Sequence, residues 1–306
     1  MSPKKNDPAG RRSLNQQAQW HQFIWCHRKA ATLLCETHQI KKSQLPKMGH
    51  GGTLDPFADG LLVVCVGKGV KLSRYFLGSK KHYEAKVRFG ETTIPGDPTE
   101  AISESTSVLP SSLEELRKTA HEMTLKPYLQ VPPMHSAKKK DGKPLYELAR
   151  QGIEIEREPQ ECRLHRFEIL SYEKPCARIQ VECSSGTYIR TLAQDFAKKM
   201  ESLALLETLQ RTGSGSFQLS QALTLDDILK AISSGTDLSQ LSCFIPFDQL
   251  MKGYPKTEAT PEEAQALQNG QQHVLIPLLH REHPDAHRDA HPEAKGPSSD
   301  LRVIYA

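Results

Sequence analysis

No apolar run in the chain is longer than the six residues 61–66 (Leu-Leu-Val-Val-Cys-Val). Six residues cannot cross a bilayer, so no membrane span is expected and the run reads as a buried strand. No C-x-x-C pair occurs among the seven cysteines (Cys26, Cys35, Cys65, Cys162, Cys176, Cys183, Cys243). An odd, irregularly spaced set without a signal peptide reads as reduced cytoplasmic thiols. Residues 1–12 are polar and basic and lack an apolar core, so secretion is not indicated. There is no internal repeat.

What is present suffices for a packed core: 306 residues, 37% hydrophobic and 25% charged. That length fits one large domain plus a small one, or two of medium size. The net charge of +4 hides an asymmetry. Residues 61–90 hold seven cations (Lys68, Lys71, Arg74, Lys80, Lys81, Lys86, Arg88) against Glu84, whereas residues 254–306 hold five cations against eight anions. A polyanion would dock on the first half, although a solvated basic face reads equally well.

Residues 1–19 read as a flexible basic tail and 22–34 as ordered. Periodicity predicts strands over 61–66, 83–89, 163–170 and 177–183, the last two as an antiparallel pair. Helices are predicted over 68–77, from Ser111/Ser112 with Glu114/Glu115 to about 124, over 145–150 with Gly152 as its C-cap, and over 188–200, 203–210, 225–232 and 261–267. Strands at 273–279 and 301–305 would close the chain.

The segment Gly49-His50-Gly51-Gly52-Thr53-Leu54-Asp55-Pro56 holds an acid on a glycine-rich turn. The glycines allow close approach to a ligand, Leu54 anchors the turn, and Pro56 restricts Asp55 to extended backbone. Gly60 ends the turn. A carboxylate held rigidly in a basic region is a catalytic candidate; an Asp that caps a turn is the competing reading. In Gly186-Thr187-Tyr188-Ile189-Arg190-Thr191 an arginine opens a helix after a strand. Its fork could hold both oxygens of a buried carboxylate, or it could be an exposed helix cation.

Gly49 to Gly60, Lys71, Tyr83, Gln130-Val131-Pro132-Pro133-Met134-His135-Ser136-Ala137, Gly142-Lys143-Pro144-Leu145-Tyr146-Glu147-Leu148-Ala149-Arg150-Gln151-Gly152 and Gly186–Thr191 occur in that order. Together they resemble the TruB family of tRNA pseudouridine synthases over about residues 40–250. The resemblance implies the pseudouridine synthase fold, of the α+β class: a mixed, mainly antiparallel sheet flanked by helices, with the active cleft across its middle. The catalytic domain would cover 20–245, with an RNA-binding insertion at about 127–152. A small PUA-like domain with a His-rich loop would cover 246–306.

By the same resemblance Asp55 is the catalytic aspartate, Arg190 its partner and Tyr83 a catalytic tyrosine that stacks on the target base, with a part in the final proton removal as a further reading. Tyr188 and Leu209 line the base pocket, Lys71 and Asp97 lie near the site, and His50 enters the T-loop when the base flips. Lys68, Arg74, Lys138, Lys139, Lys143 and Arg150 would grip RNA phosphates. Read by themselves, Tyr83 could be strand packing, Lys71 a surface charge and His50 a turn residue. The implied reaction converts uridine 55 of the tRNA T-loop to pseudouridine in the cytoplasm, without metal, cofactor or guide RNA. The enzyme would be a monomer whose partner is the T-arm of tRNA, with an added tRNA-folding chaperone role as a further reading.

The chain departs from the family pattern at residues 27–34, where an expected proline and glycine are missing. His135 stands in place of a tyrosine, Gln210 in place of an arginine, and Asp59 in place of a small residue or threonine. Asp59 is expected to point outward, away from Asp55. His280, His283, His287 and His291 lack tight ligand spacing and read as a solvated linker rather than a metal site.

Overall fold

The computed structural model describes residues 46–136, 138–140, 142–250, 258–271 and 273. The chain divides into two units, Met1–Cys243 and Phe244–Ala306.

The described part of the first unit opens with β1 (Met48–His50), the Asp55 loop, β2 (Asp59–Gly60) and β3 (Val64–Val66), which pairs antiparallel with β1. The strand expected over 61–66 is shorter because its first half serves the loop. The Leu61 N–H bonds the Arg211 carbonyl, and the Val63 carbonyl takes the Gly51 N–H. The helix expected over 68–77 is a 3-10 turn (Gly67–Leu72) followed by α1 (Ser73–Gly78), with the Ser73 hydroxyl bonding the Val70 carbonyl at the joint.

β4 (Lys81–Phe89) alternates as expected, with Tyr83, Ala85, Val87 and Phe89 buried. A short pair, β5 (Glu91–Thr92) with β6 (Glu104–Ser105), leads to α2 (Leu113–Thr124). The Ser-Ser-x-Glu-Glu spacing sets the start of this helix. The Ser112 hydroxyl accepts from the Glu115 N–H at 3.2 Å, and the Glu115 carboxylate reaches back to Ser111. β7 (Tyr128–Gln130) leads to the hairpin β8 (Lys139–Lys140) and β9 (Lys143–Pro144), and then to α3 (Leu145–Arg150). Gly152 ends α3 at φ +70°, and β10 (Gln160–Cys162) returns to pair with β7.

The expected hairpin follows as β11 (Leu164–Glu173) and β12 (Cys176–Cys183), then α4 (Ile189–Lys198), β13 (Ala204–Ser214), β14 (Phe217–Gln218) and α5 (Leu225–Ser233). One six-stranded sheet runs β11-β12-β4-β13-β14, with β2 parallel to β13 and every other pair antiparallel.

β13 overturns the helix expected over 203–210. Ala-Leu-Leu-Glu has high helix propensity, and a register shift between Leu206 and Thr208 breaks the period of two, so the apolar spacing mimics a helix. Tertiary pairing decides otherwise. The segment pairs along the whole of β4, with Ala204, Leu206, Leu209 and Arg211 buried.

α2 and α4 pack on one face of the sheet. Phe196 of α4 meets Phe167 and Phe89, at ring-centroid distances of 4.8 and 6.1 Å, within one apolar core. Across the other face, Glu207 on β13 pairs with Lys86 and Arg88 on β4, both at 2.8 Å, and these partners pull its carboxyl down to about 2. The local excess of cations in residues 61–90 is therefore smaller in effect than its count. Lys81 is buried and Lys80, Lys86 and Arg88 face carboxylates, while Lys68, Lys71 and Arg74 lie exposed along the 3-10 turn and α1.

The described part of the second unit contains α6 (Phe247–Leu250) and α7 (Pro261–Gln268), the latter capped by Thr260 and Glu263 as a reciprocal box. The tail at 1–19, residues 22–34, the strands expected at 273–279 (beyond His273) and 301–305, and the histidine-rich run lie outside the described residues.

Candidate active site

The Asp55 loop is held from both sides. Leu54 and Ala58 bury in the core beneath it. A Cβ at Gly51 would lie 2.6 Å from that of Phe76, and one at Gly60 (φ +105°) would lie 2.3 Å from the Arg211 carbonyl oxygen, so neither position accepts a side chain. Asp55 itself is 24% exposed in its side chain, open enough to meet a substrate. Asp59 is exposed, as expected.

Arg190, on the first turn of α4, is 2% exposed and holds Asp55 with both prongs, Nε to Oδ2 at 2.8 Å and an Nη to Oδ1 at 2.9 Å. Its remaining donors reach the carbonyls of Pro95 and His135, each at 2.9 Å. On its other side lies buried Asp97, 3.5 Å away, itself bonded to Thr99. Burial opposes the guanidinium charge, but Asp55 and Asp97 outweigh it and raise the Arg190 pKa.

Tyr83 is buried on β4 within the field of Asp55. Burial pushes its hydroxyl up to about 12, with the adjacent Arg211 guanidinium opposing. Tyr188 caps α4, and burial followed by the proximity of Asp55 raises its hydroxyl against the pull of Ser136 and Arg190. Leu209 faces the same core two rungs along, opposite Ala85. The sequence-predicted residues Asp55, Arg190, Tyr83, Tyr188 and Asp97 thus meet in one place. The others lie around it. His50 is exposed on β1, its Nδ1 accepting from the Gly52 N–H at 3.4 Å, and Lys71, Lys68, Arg74 and Lys138 are exposed. Lys139, Lys143 and Arg150 fall on β8, β9 and α3 by their backbone.

Two structural residues carry no motif that would single them out. Arg211 is fully buried and straps the loop, donating to the carbonyls of Leu61 (2.8 Å), Thr53 (3.2 Å) and Gly52 (3.1 Å). Only an arginine fork can span three carbonyls in this way. Arg211→Met should destabilise the fold by roughly 2–4 kcal/mol, because those acceptors lose their partners while buried. Urea unfolding checks this, and a change under 0.5 kcal/mol would show the strap to be idle.

Lys81 is the second. Its buried ammonium donates to the carbonyls of Phe76 and Ser79 and to the Ser79 hydroxyl, at 2.6–2.9 Å, tying the end of α1 to β4. Burial, then Arg211, lowers its pKa to about 8 from 10.5. The unfolded chain therefore holds this proton more tightly, and between pH 8 and 10.5 deprotonation of Lys81 favours the fold. Relative to Lys81→Met, the wild type should gain roughly 2 kcal/mol between pH 7.5 and 10. Paired denaturant melts at the two pH values would show no such gain if the ammonium were not desolvated.

Comparison with known proteins points to one family. Residues 39–189 match the family profile described as TruB family pseudouridylate synthase (N terminal domain). The tRNA pseudouridine synthase B of Bordetella avium is 46% identical over 198 residues, covering 63% of this chain and 81% of the relative. That of Azoarcus sp. is 40% identical over 229 residues, covering 74% and 73%. Among solved structures, a chain from the crystal structure of a Cbf5-Nop10-Gar1 complex superposes with a TM-score of 0.56 at 21% identity, over 80% of this chain and 63% of that one, which speaks to the fold alone. With an arginine-clasped aspartate on a glycine-rich loop, the expected sheet around it and close relatives covered over most of their length, the chain belongs to the TruB family of pseudouridylate synthases.

Proposed function

We propose that the protein isomerises a uridine of the tRNA T-loop, position 55, to pseudouridine, acting without a guide RNA. The observation that carries this reading is the two-pronged Arg190–Asp55 pair, with Asp55 still partly open to solvent. In the reaction the N1–C1′ bond of the nucleotide breaks and a C5–C1′ bond forms. The proton leaves C5 and N1 regains one, so the conversion is redox-neutral and consumes no co-reactant. Asp55 serves as nucleophile or base while the glycosidic bond is open, in a pocket that keeps water from the intermediate.

Tyr83 and Leu209 receive the flipped base, Tyr188 borders it, and His50 fills the gap left in the RNA stack. Burial raises the Tyr83 hydroxyl and keeps it a neutral phenol at pH 7, which suits the stacking role. Asp97, enclosed behind Arg190, acts through that arginine rather than on the nucleotide. Lys68, Lys71 and Arg74, together with Lys138, Lys139, Lys143 and Arg150 of the insertion, follow the phosphates.

The proposed domain plan is a catalytic domain to about residue 245 and a small PUA-like domain after it. The division at Cys243/Phe244 supports this boundary. A monomer in the cytoplasm is proposed, and the free thiols of the five described cysteines suit a reducing compartment.

The test is to incubate purified protein with an unmodified tRNA transcript, with no other RNA added, and to map pseudouridine. Product at the T-loop uridine is expected. Absence of product with tight tRNA binding would favour the folding-chaperone reading.

A further inference from the structure

A buried amide helps to join the insertion to α4. Gln130, 1% exposed, ends β7 at the root of the insertion. Its Oε1 accepts from the Tyr188 N–H at 2.7 Å. Its Nε2 donates to the Tyr188 carbonyl and to the Tyr128 hydroxyl, each at 3.0 Å. The Tyr128 hydroxyl donates in turn to Asp195 Oδ2 at 2.6 Å. Tyr188 is the N-cap of α4 and its own side chain makes no capping bond there. Asp195 lies about two turns further along the same helix face. The strand thus grips α4 at two points on one side. Arg190 stands two residues past the first grip and also donates to the carbonyl of His135, in the segment that continues from Gln130 into the insertion.

We infer that Gln130 is a positioning residue for the isomerisation, transmitting the seating of the insertion on RNA to Tyr188 and, through the first turn of α4, to the hold of Arg190 on Asp55. The inference rests on the proposed activity. An amide that binds both the N–H and the C=O of one residue fixes the two peptide groups on either side of it. Without it the first turn of α4 can slide along its axis, and both prongs of the Arg190 fork move together. A displacement of about 1 Å at a reacting group costs on the order of 10²-fold in rate. Being buried, Gln130 cannot touch RNA, so its loss should appear in turnover and not in affinity.

The experiment measures single-turnover pseudouridine formation, tRNA affinity and thermal melting for the full chain and for Gln130→Ala, Gln130→Glu and Tyr128→Phe. Gln130→Ala should lower the rate about 30- to 100-fold, with affinity within about threefold and melting above the assay temperature. Tyr128→Phe, which keeps the amide grip and loses the strap to Asp195, should lower it about 3- to 10-fold.

Gln130→Glu supplies the readout that a merely structural role would not move. An ionised carboxylate repels the Tyr188 carbonyl, while a protonated one donates to it. Relative to wild type, this variant should recover as pH falls from 8 to 5.5, whereas Gln130→Ala keeps a constant ratio. The Tyr128 and Tyr188 hydroxyls and the Cys162 thiol on the paired strand are raised by burial and stay neutral over that range. Asp195, beyond Tyr128, is common to the wild type and all three variants.

An active wild type with unaffected Gln130→Ala, or a loss of affinity as large as the loss of rate, overturns the inference alone. An inactive wild type overturns the proposed activity, and the inference with it. If Gln130→Ala does not fold, full activity in Tyr128→Phe together with a pH-independent ratio for Gln130→Glu overturns it.

Discussion

Asp55→Asn should cut pseudouridine formation by about 10⁴-fold or more while tRNA affinity stays within a few-fold. The substitution preserves size and removes the charge, so it separates chemistry from shape. Arg190 offers two parallel donors, at 2.8 and 2.9 Å, to two oxygens. An asparagine answers with one oxygen and one NH₂, so one prong meets another donor. The fold should therefore weaken somewhat, by roughly 1–2 kcal/mol, and the assay belongs well below the melting temperature. The loop is also held by Arg211 and by Leu54, which do not depend on the Asp55 carboxylate. RNA binding falling in step with rate would make Asp55 a structural residue and would undo its catalytic assignment.

Arg190→Met should be the most destabilising single change at the site, at about 3–5 kcal/mol in urea unfolding, with turnover lost as well. The guanidinium is buried between two carboxylates and serves two main-chain carbonyls. Removing it leaves Asp97 enclosed and uncompensated, while Asp55 can still reach water. Asp97→Asn should therefore rescue part of the loss. A double-mutant cycle should show coupling of about 1 kcal/mol or more between positions 97 and 190, and less than that between 97 and a distant surface acid such as Glu114. A penalty below 1 kcal/mol for Arg190→Met would mean that the ion pair is not what holds the loop to the helix.

Much of the site could be read from the chain because its parts are local motifs with strict backbone demands. By type and spacing alone the Asp55 turn and the Arg190 helix start keep a structural reading open, which the resemblance of the ordered motifs to the family resolves. Ser111/Ser112 with Glu114/Glu115 marks the start of α2. β13 could not be read this way. Its register shift removes the alternation that identifies a strand, and its helix-favouring composition is overruled by pairing with β4, more than a hundred residues away. The bonding roles of Arg211, Lys81 and Gln130, the last a member of one of the ordered motifs, escaped for a related reason. Each residue bonds mainly to carbonyls or amides of distant or turn backbone, and such partners leave no signature in side-chain spacing. Asp97 was legible as a member of the site, yet its place behind Arg190 emerges only in three dimensions.

The two carbonyls that Arg190 engages, at Pro95 and His135, belong to the peptide backbone, and any amino acid supplies the same oxygen. The arginine therefore measures the course of two loops and is blind to their spelling. Residue exchange at 135, such as the histidine found there in place of a tyrosine, is a synonym. Adding or deleting one residue between Gln130 and His135, or between Thr93 and Asp97, would change the length of the phrase and move the oxygen out of reach. Across relatives, the side chain at 135 should vary more readily than the length of either stretch.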